Sequence, residues 1–167
     1  MDRPHDARPV DATVSLAVIE AFTVATCTAF EELCQTVLAP GEQYLSPAEP
    51  GADCVTAEIT LRRVVPGLLR LVFPRSVLET LVVRYLPDDA LTSDLVEDAA
   101  GEFVNVIAGQ AKTMLKGTRY HFNLSVPRVS STVSQPNDEP ELLVLPFDYD
   151  AGGFAVTVLL SPGETDG

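Results

Sequence analysis

Apolar residues recur every three or four positions along two long stretches of the chain. Val18, Phe22, Ala25, Ala29, Leu33 and Val37 fall on one face, which predicts a helix over 13–38 that stops before Pro40-Gly41. Val96, Ala100, Phe103, Ile107, Ala111 and Met114 do the same over 94–116. Asp94 with Glu97 forms a capping box for this second helix, Ser93 being the alternative cap, and Gly117 is a C-terminal stop. A shorter helix is expected over 76–85, packing through Val77, Leu78, Leu81 and Val82. Elsewhere the period drops to two, as in half-buried strands. Val55, Ala57, Ile59 and Leu61 alternate with polar residues, and Leu69, Leu71 and Phe73 follow after Pro66-Gly67. Tyr120, Phe122, Leu124 and Val126 alternate up to Pro127, Leu142–Phe147 is almost wholly apolar, and Phe154, Val156, Val158 and Leu160 close the series. A short strand fits 43–45.

Each half of this order begins with a long helix and continues into a hairpin. The fold class expected is α/β (α+β type): an antiparallel sheet packed against two long helices and one short helix, with weak internal duplication. Residues 13–160 carry this domain. Residues 1–12 form a flexible N-terminal arm, 161–167 a C-terminal tail, and the polar run 128–140 a flexible hairpin loop. The long apolar strands near the C-terminus raise the hazard of an open sheet edge, which pairing into a homodimer would remove.

Composition narrows the function. The chain has 167 residues, 46% of them apolar, enough for one core. Lys and Arg number 11 against 24 Asp and Glu, a net charge of −13, the wrong sign for nucleic acid or an anionic membrane. No apolar run is long enough for a membrane span, and MDRPHDARPV has no signal-peptide core. Cys27, Cys34 and Cys54 form no CxxC and no even framework, so reduced thiols and a cytoplasmic location are expected. His5, His121, Cys54 and Asp148 have no metal-ligand spacing, and G-x-S-x-G and phosphate-loop motifs are absent.

The polar side of the second long helix holds the candidate chemistry. Asp98, Glu102, Asn105, Gly109 and Lys112 share one stripe. A carboxylate and a carboxamide one turn apart thus point the same way. Read blandly, this is a solvated helix face. Gly109 argues otherwise, because a helical glycine costs about 1 kcal/mol and lets another surface approach closely.

The run Asp98-x-x-x-Glu102-x-x-Asn105-V-I-A-Gly109-Q-A-Lys112, followed after a strand by Pro127, resembles the signature of the CheC/CheX-type chemotaxis phosphatases. The resemblance covers roughly 13–160, and its specific part is 94–127. It implies a phosphatase acting on a phosphorylated CheY-like response regulator. Glu102 and Asn105 are the implied catalytic pair: Glu102 pairs with a regulator lysine, and Asn105 orients the attacking water. Asp98, Gly109, Lys112 and Pro127 are the supporting motif. The implied Mg²⁺ belongs to the partner's receiver domain, and no cofactor or metal of the chain's own is expected. CheC-type proteins carry the motif in both halves. Here the first helix offers Thr28, Glu32 and Gln35, with glutamine for asparagine and Ala39 where glycine would stand. Glu32 and Gln35 are therefore degenerate second-site candidates, and the pattern is similar to the one-site CheX type, whose members are dimers. The rival is a non-catalytic module of the same fold that binds a receiver domain or another signalling protein.

Overall fold

The computed structural model describes residues 7–11, 14–46, 53–131 and 141–161. In chain order the elements are β1 (Arg8–Pro9), α1 (Leu16–Cys34), β2 (Ala39–Pro40), β3 (Tyr44–Ser46), β4 (Cys54–Arg62), β5 (Gly67–Pro74), α2 (Arg75–Tyr85), α3 (Ser93–Leu115), β6 (Asn123–Leu124), β7 (Arg128–Ser130), β8 (Leu142–Tyr149) and β9 (Gly152–Leu159). The strands make one antiparallel sheet in the order β1-β3-β8-β9-β5-β4-β6, with β2 also on β8 and β7 also on β4. The helices share a core with one face of the sheet, where the alternation predicted for β4 places Val55, Ala57, Ile59 and Leu61 inward and buried. Phe30 of α1 joins the layers. Its ring lies 5.0 Å from Phe103 of α3, 5.1 Å from Phe154 of β9 and 6.3 Å from Phe73 of β5. Such pairs contribute about 0.5–1.5 kcal/mol each beyond area burial.

The duplication is legible in the topology. Hairpins β4–β5 and β8–β9 meet through β5 and β9 at the centre of the sheet. The short strand after each long helix crosses to the other half's hairpin: β3 pairs with β8, and β6 and β7 pair with β4. The two long helices pack side by side, as their matching stripes require.

Several expectations are corrected. Helix α1 ends at Cys34, not residue 38. Gln35 is left-handed (φ 51°, ψ 38°), and Thr36 N–H donates back to the Phe30 carbonyl at 3.1 Å. Val37 is therefore exposed. Helix α3 is capped by Thr92, whose hydroxyl accepts from Leu95 N–H at 3.1 Å, and not by Asp94 or Ser93. Leu115 rather than Met114 completes its buried face. The strand expected over 120–126 is reduced to Asn123–Leu124, because Ser125 Oγ takes over the bond from Thr60 N–H and Pro127 has no N–H to donate. Val126 is exposed. Part of the expected loop, Arg128–Ser130, is strand; residues 132–140 lie outside the described residues. In the expected arm, Arg8 and Pro9 pair with β3, and Arg8 binds Glu141 at 2.7 Å and Asp11 at 2.6 Å. Helix α1 begins at Leu16, capped by Ser15 Oγ accepting from Ala17 N–H, and not at 13. Residues 1–6, 12–13, 47–52 and the tail 162–167 also lie outside the described residues, as does His5. The premise of the sheet-edge dimer is not met among the described residues. Strands β8 and β9 are flanked on both sides, and the outermost strands β1, β6 and β7 are two or three residues long, short edges of the kind that resist pairing.

Candidate functional site on the long helix

Helix α3 buries Val96, Ala99, Ala100, Phe103, Val104, Ile107, Ala108, Ala111 and Leu115. At ~100° per residue, Asp98, Glu102, Asn105, Gly109 and Lys112 occupy a sector of ~80° on the opposite side, and Lys116, the C-cap residue just past the last turn, follows them. Asp98, Glu102, Asn105 and Lys116 are exposed, while Gly109 and Lys112 are half-buried. Among the described residues no hydrogen bond or ion pair engages the Asp98, Glu102 or Asn105 side chains. Their polar atoms are free for a group outside the chain. Phe103, wedged between Phe30 and Tyr85 at 5.0 and 5.4 Å, holds the rotation of this segment and so the direction of its two neighbours on the stripe.

The two glycines of α3 have different surroundings. A Cβ on Gly101 would stand 3.5 Å from Val129 Cγ2 and 4.0 Å from Pro127 Cβ. Pro127, far along the chain, is thereby brought against the helix one residue from Glu102. A Cβ on Gly109 would meet nothing within 4 Å. Nothing inside the fold asks for glycine there, and it costs the helix about 1 kcal/mol relative to alanine. Asp98 and Glu102, like charges four apart on one face, cost a few tenths more, about 0.2–0.5 kcal/mol. These residues are not the choices that would maximise the stability of α3.

The first helix builds no matching stripe. Glu32 is exposed on the last turn of α1, but Gln35 lies beyond the helix end in the left-handed conformation. Gln35 therefore does not continue the line from Thr28 and Glu32. The chain after it is clasped instead: Arg84 at the end of α2 donates to Thr36 Oγ1 at 3.0 Å and to both Asp150 carboxylate oxygens at 3.0 and 2.9 Å, and its guanidinium sits 5.2 Å from the Tyr149 ring centre. Arg84 holds the Asp150 carboxyl below the usual carboxylate range through these hydrogen bonds. Burial pushes the nearby Cys34 thiol up to about 12. Sequence reasoning missed this clasp, since its members are separated along the chain and fit no motif. Among the described residues no group of three or more His, Cys, Asp or Glu could hold a metal ion, and no helix is long and apolar enough to cross a membrane.

A family profile described as chemotaxis phosphatase CheX matches residues 55–147. The chain belongs to the CheX family. Among solved structures, a candidate chemotaxis protein from Desulfovibrio vulgaris Hildenborough is similar at 25% identity over 88% of this chain and 98% of that one, with a TM-score of 0.78. The CheX from Desulfovibrio desulfuricans is similar at 22% identity over 87% and 100% of the two chains, TM-score 0.78. A CheX–CheY–BeF3–Mg²⁺ complex from Borrelia burgdorferi is similar at 17% identity over 86% and 97%, TM-score 0.69. Among curated proteins nothing matches. The matched CheX segment includes the whole α3 stripe and Pro127, together with the hairpin and short helix that precede them.

Proposed function

We propose that this chain is a phosphatase that hydrolyses the acyl phosphate of a phospho-aspartyl response regulator of the CheY type. An acyl phosphate is already activated, so no strong general base is needed; the demand is for a water held in line with the bond to be broken. Asn105 meets it with an amide that accepts from the water's O–H or donates to its oxygen. The water oxygen attacks phosphorus, the bond from phosphorus to the aspartyl oxygen breaks, and the carboxylate leaves with inorganic phosphate as the other product. Glu102 is not the base. A carboxylate is repelled by a phosphoryl group but pairs with a lysine beside it, which sets the register of the two proteins. Mg²⁺ would belong to the receiver's own acidic pocket and would neutralise the phosphoryl charge. In this reading the protein works in the cytoplasm.

The observation that carries the proposal is the pairing of Glu102 and Asn105, exposed and unengaged on one ridge, with Gly109 open beside them. The CheX–CheY complex supports a CheY-type partner for that protein, and the family match brings the same partner class to this one. The test is inorganic phosphate release from a panel of phosphorylated CheY-type receiver domains, with and without the purified protein. Faster release from at least one receiver is expected. Binding without release would assign the chain the role of a non-catalytic receiver-binding module.

A further inference from the structure

A chain of net charge −13 should repel an anionic partner, yet its charge is unevenly spread. Residues 103–131 contain no Asp or Glu, but do contain Lys112, Lys116, Arg119 and Arg128. The neighbouring run 59–78 in β4, β5 and the start of α2 is also free of acids and carries Arg62 and Arg63, while its other two arginines are already paired, Arg70 with Glu58 at 2.8 Å and Arg75 with Asp53 at 3.8 Å. The two segments are tied together where α3 ends, by Arg63 donating to the Arg119 carbonyl at 3.0 Å. Lys112 and Lys116 extend the site stripe itself, which therefore runs acid, acid, amide, glycine, lysine, lysine from Asp98 to Lys116 over ~27 Å at 1.5 Å per residue. Neither lysine has an ion pair among the described residues. The helix dipole favours cations near this end, but it does not ask for both on one line, where like charges four apart repel.

We infer that Lys112 and Lys116 form a cationic docking ledge that receives an acidic surface of the phosphorylated receiver beside its phosphoryl group. The inference rests on the phosphatase reading and deepens it. Screening explains why a local patch governs the approach: at physiological ionic strength the field decays over about 8 Å, so the part of a partner that meets the C-terminal end of α3 feels the lysines and not the carboxylates at the other end. Polarity of the stripe also fixes orientation. Glu102 takes the partner's cation, Asn105 faces the phosphoryl group, and the ledge takes the anionic surface beyond it. A receiver docked the other way would set acid against acid at the Asp98–Glu102 end and cation against cation at the lysines, the repulsive element that specificity requires.

The probe is a fluorescently labelled CheY-type receiver domain as its beryllofluoride–Mg²⁺ adduct, with association followed by stopped flow at about 50 mM and about 500 mM salt. The doubly reversed variant K112E/K116E is expected to associate roughly tenfold more slowly at low salt. The gap should close at high salt, and K112R/K116R should match the parent at both. Equal low-salt rates for the reversed variant and the parent would overturn the ledge. So would a deficit that persists at high salt, which is the mark of a damaged helix. If the parent binds with this salt dependence but releases phosphate from no phosphorylated receiver, the ledge stands and the phosphatase reading falls. If it binds none of them, both fall.

Discussion

Gly109 offers a test in which stability and function should move in opposite directions. The residue lies in the interior of α3 and has no positive φ, so its backbone is acceptable to any L-residue. A new Cβ would find open space within 4 Å. Gly109→Ala removes the glycine penalty, about 0.8–1.0 kcal/mol, with no steric charge against it. For a domain of this size that raises the thermal midpoint by about 2–4 °C. Gly109→Gln gains most of the same helix propensity but puts a long side chain between Asn105 and Lys112. If α3 must lie close to a receiver, that variant should fold as well as the parent and dephosphorylate about 10²-fold more slowly, the scale of loss produced by ångström misplacement of reacting groups. Thermal unfolding by circular dichroism and receiver dephosphorylation are measured on the same preparations. A destabilised Gly109→Ala would show that the open-space argument is wrong. A Gly109→Gln that turns over receiver at the parent rate would refute close approach at this point on the ridge.

Other perturbations probe the fold and the boundaries of the site. Phe103→Ala should cost about 3–5 kcal/mol in urea unfolding, because the ring is fully buried among Phe30 and Tyr85; a loss below about 1 kcal/mol would mean that the ring does not anchor α3. Gln35→Ala should leave dephosphorylation within twofold of the parent, since Gln35 is off the helical stripe of α1; a large loss in a phosphate-release assay would reveal a second site. The Asp150 carboxyl is held below its ordinary 3.8 by Arg84, so its contribution to stability is present above that value and is lost as pH falls through the lowered one. Thermal midpoints followed through acid should therefore show Asp150→Asn less stable than the parent at neutral pH and converging with it below about pH 4; a constant gap would count against the clasp.

Much of this was written in the pattern of residues because two different periods govern it. The face of α3 follows from Val96, Ala100, Phe103, Ile107 and Ala111 at helical spacing, and β4 from strict alternation at Val55, Ala57, Ile59 and Leu61. Once those faces are set, the opposite stripe of α3 is set as well, so the sequence alone puts Glu102, Asn105 and Gly109 on one ridge. What was not legible depends on contacts between segments distant along the chain. Helix α1 stops four residues early without a glycine or proline to signal it. Gln35 adopts the left-handed turn, and the chain beyond it is held from outside by Arg84 and Asp150. The strand before Pro127 has the right alternation but is cut short by Ser125, whose hydroxyl substitutes for a ladder bond. The sheet edges could not be read either, because strand order depends on β3 crossing to β8 and β7 to β4. That crossing buries the apolar strands whose exposure had suggested an edge-paired dimer.

The central claim is that Asn105 holds the water that attacks the phosphoryl group. Its most direct test is single-turnover dephosphorylation of a phosphorylated CheY-type receiver by the parent and by Asn105→Ala, each in excess over the receiver. The face is exposed and alanine is the better helix former, so circular dichroism should show an unchanged or slightly more stable fold. The account predicts that the variant still binds the receiver but loses about 10²-fold in rate. Dephosphorylation by Asn105→Ala at the parent rate would contradict it.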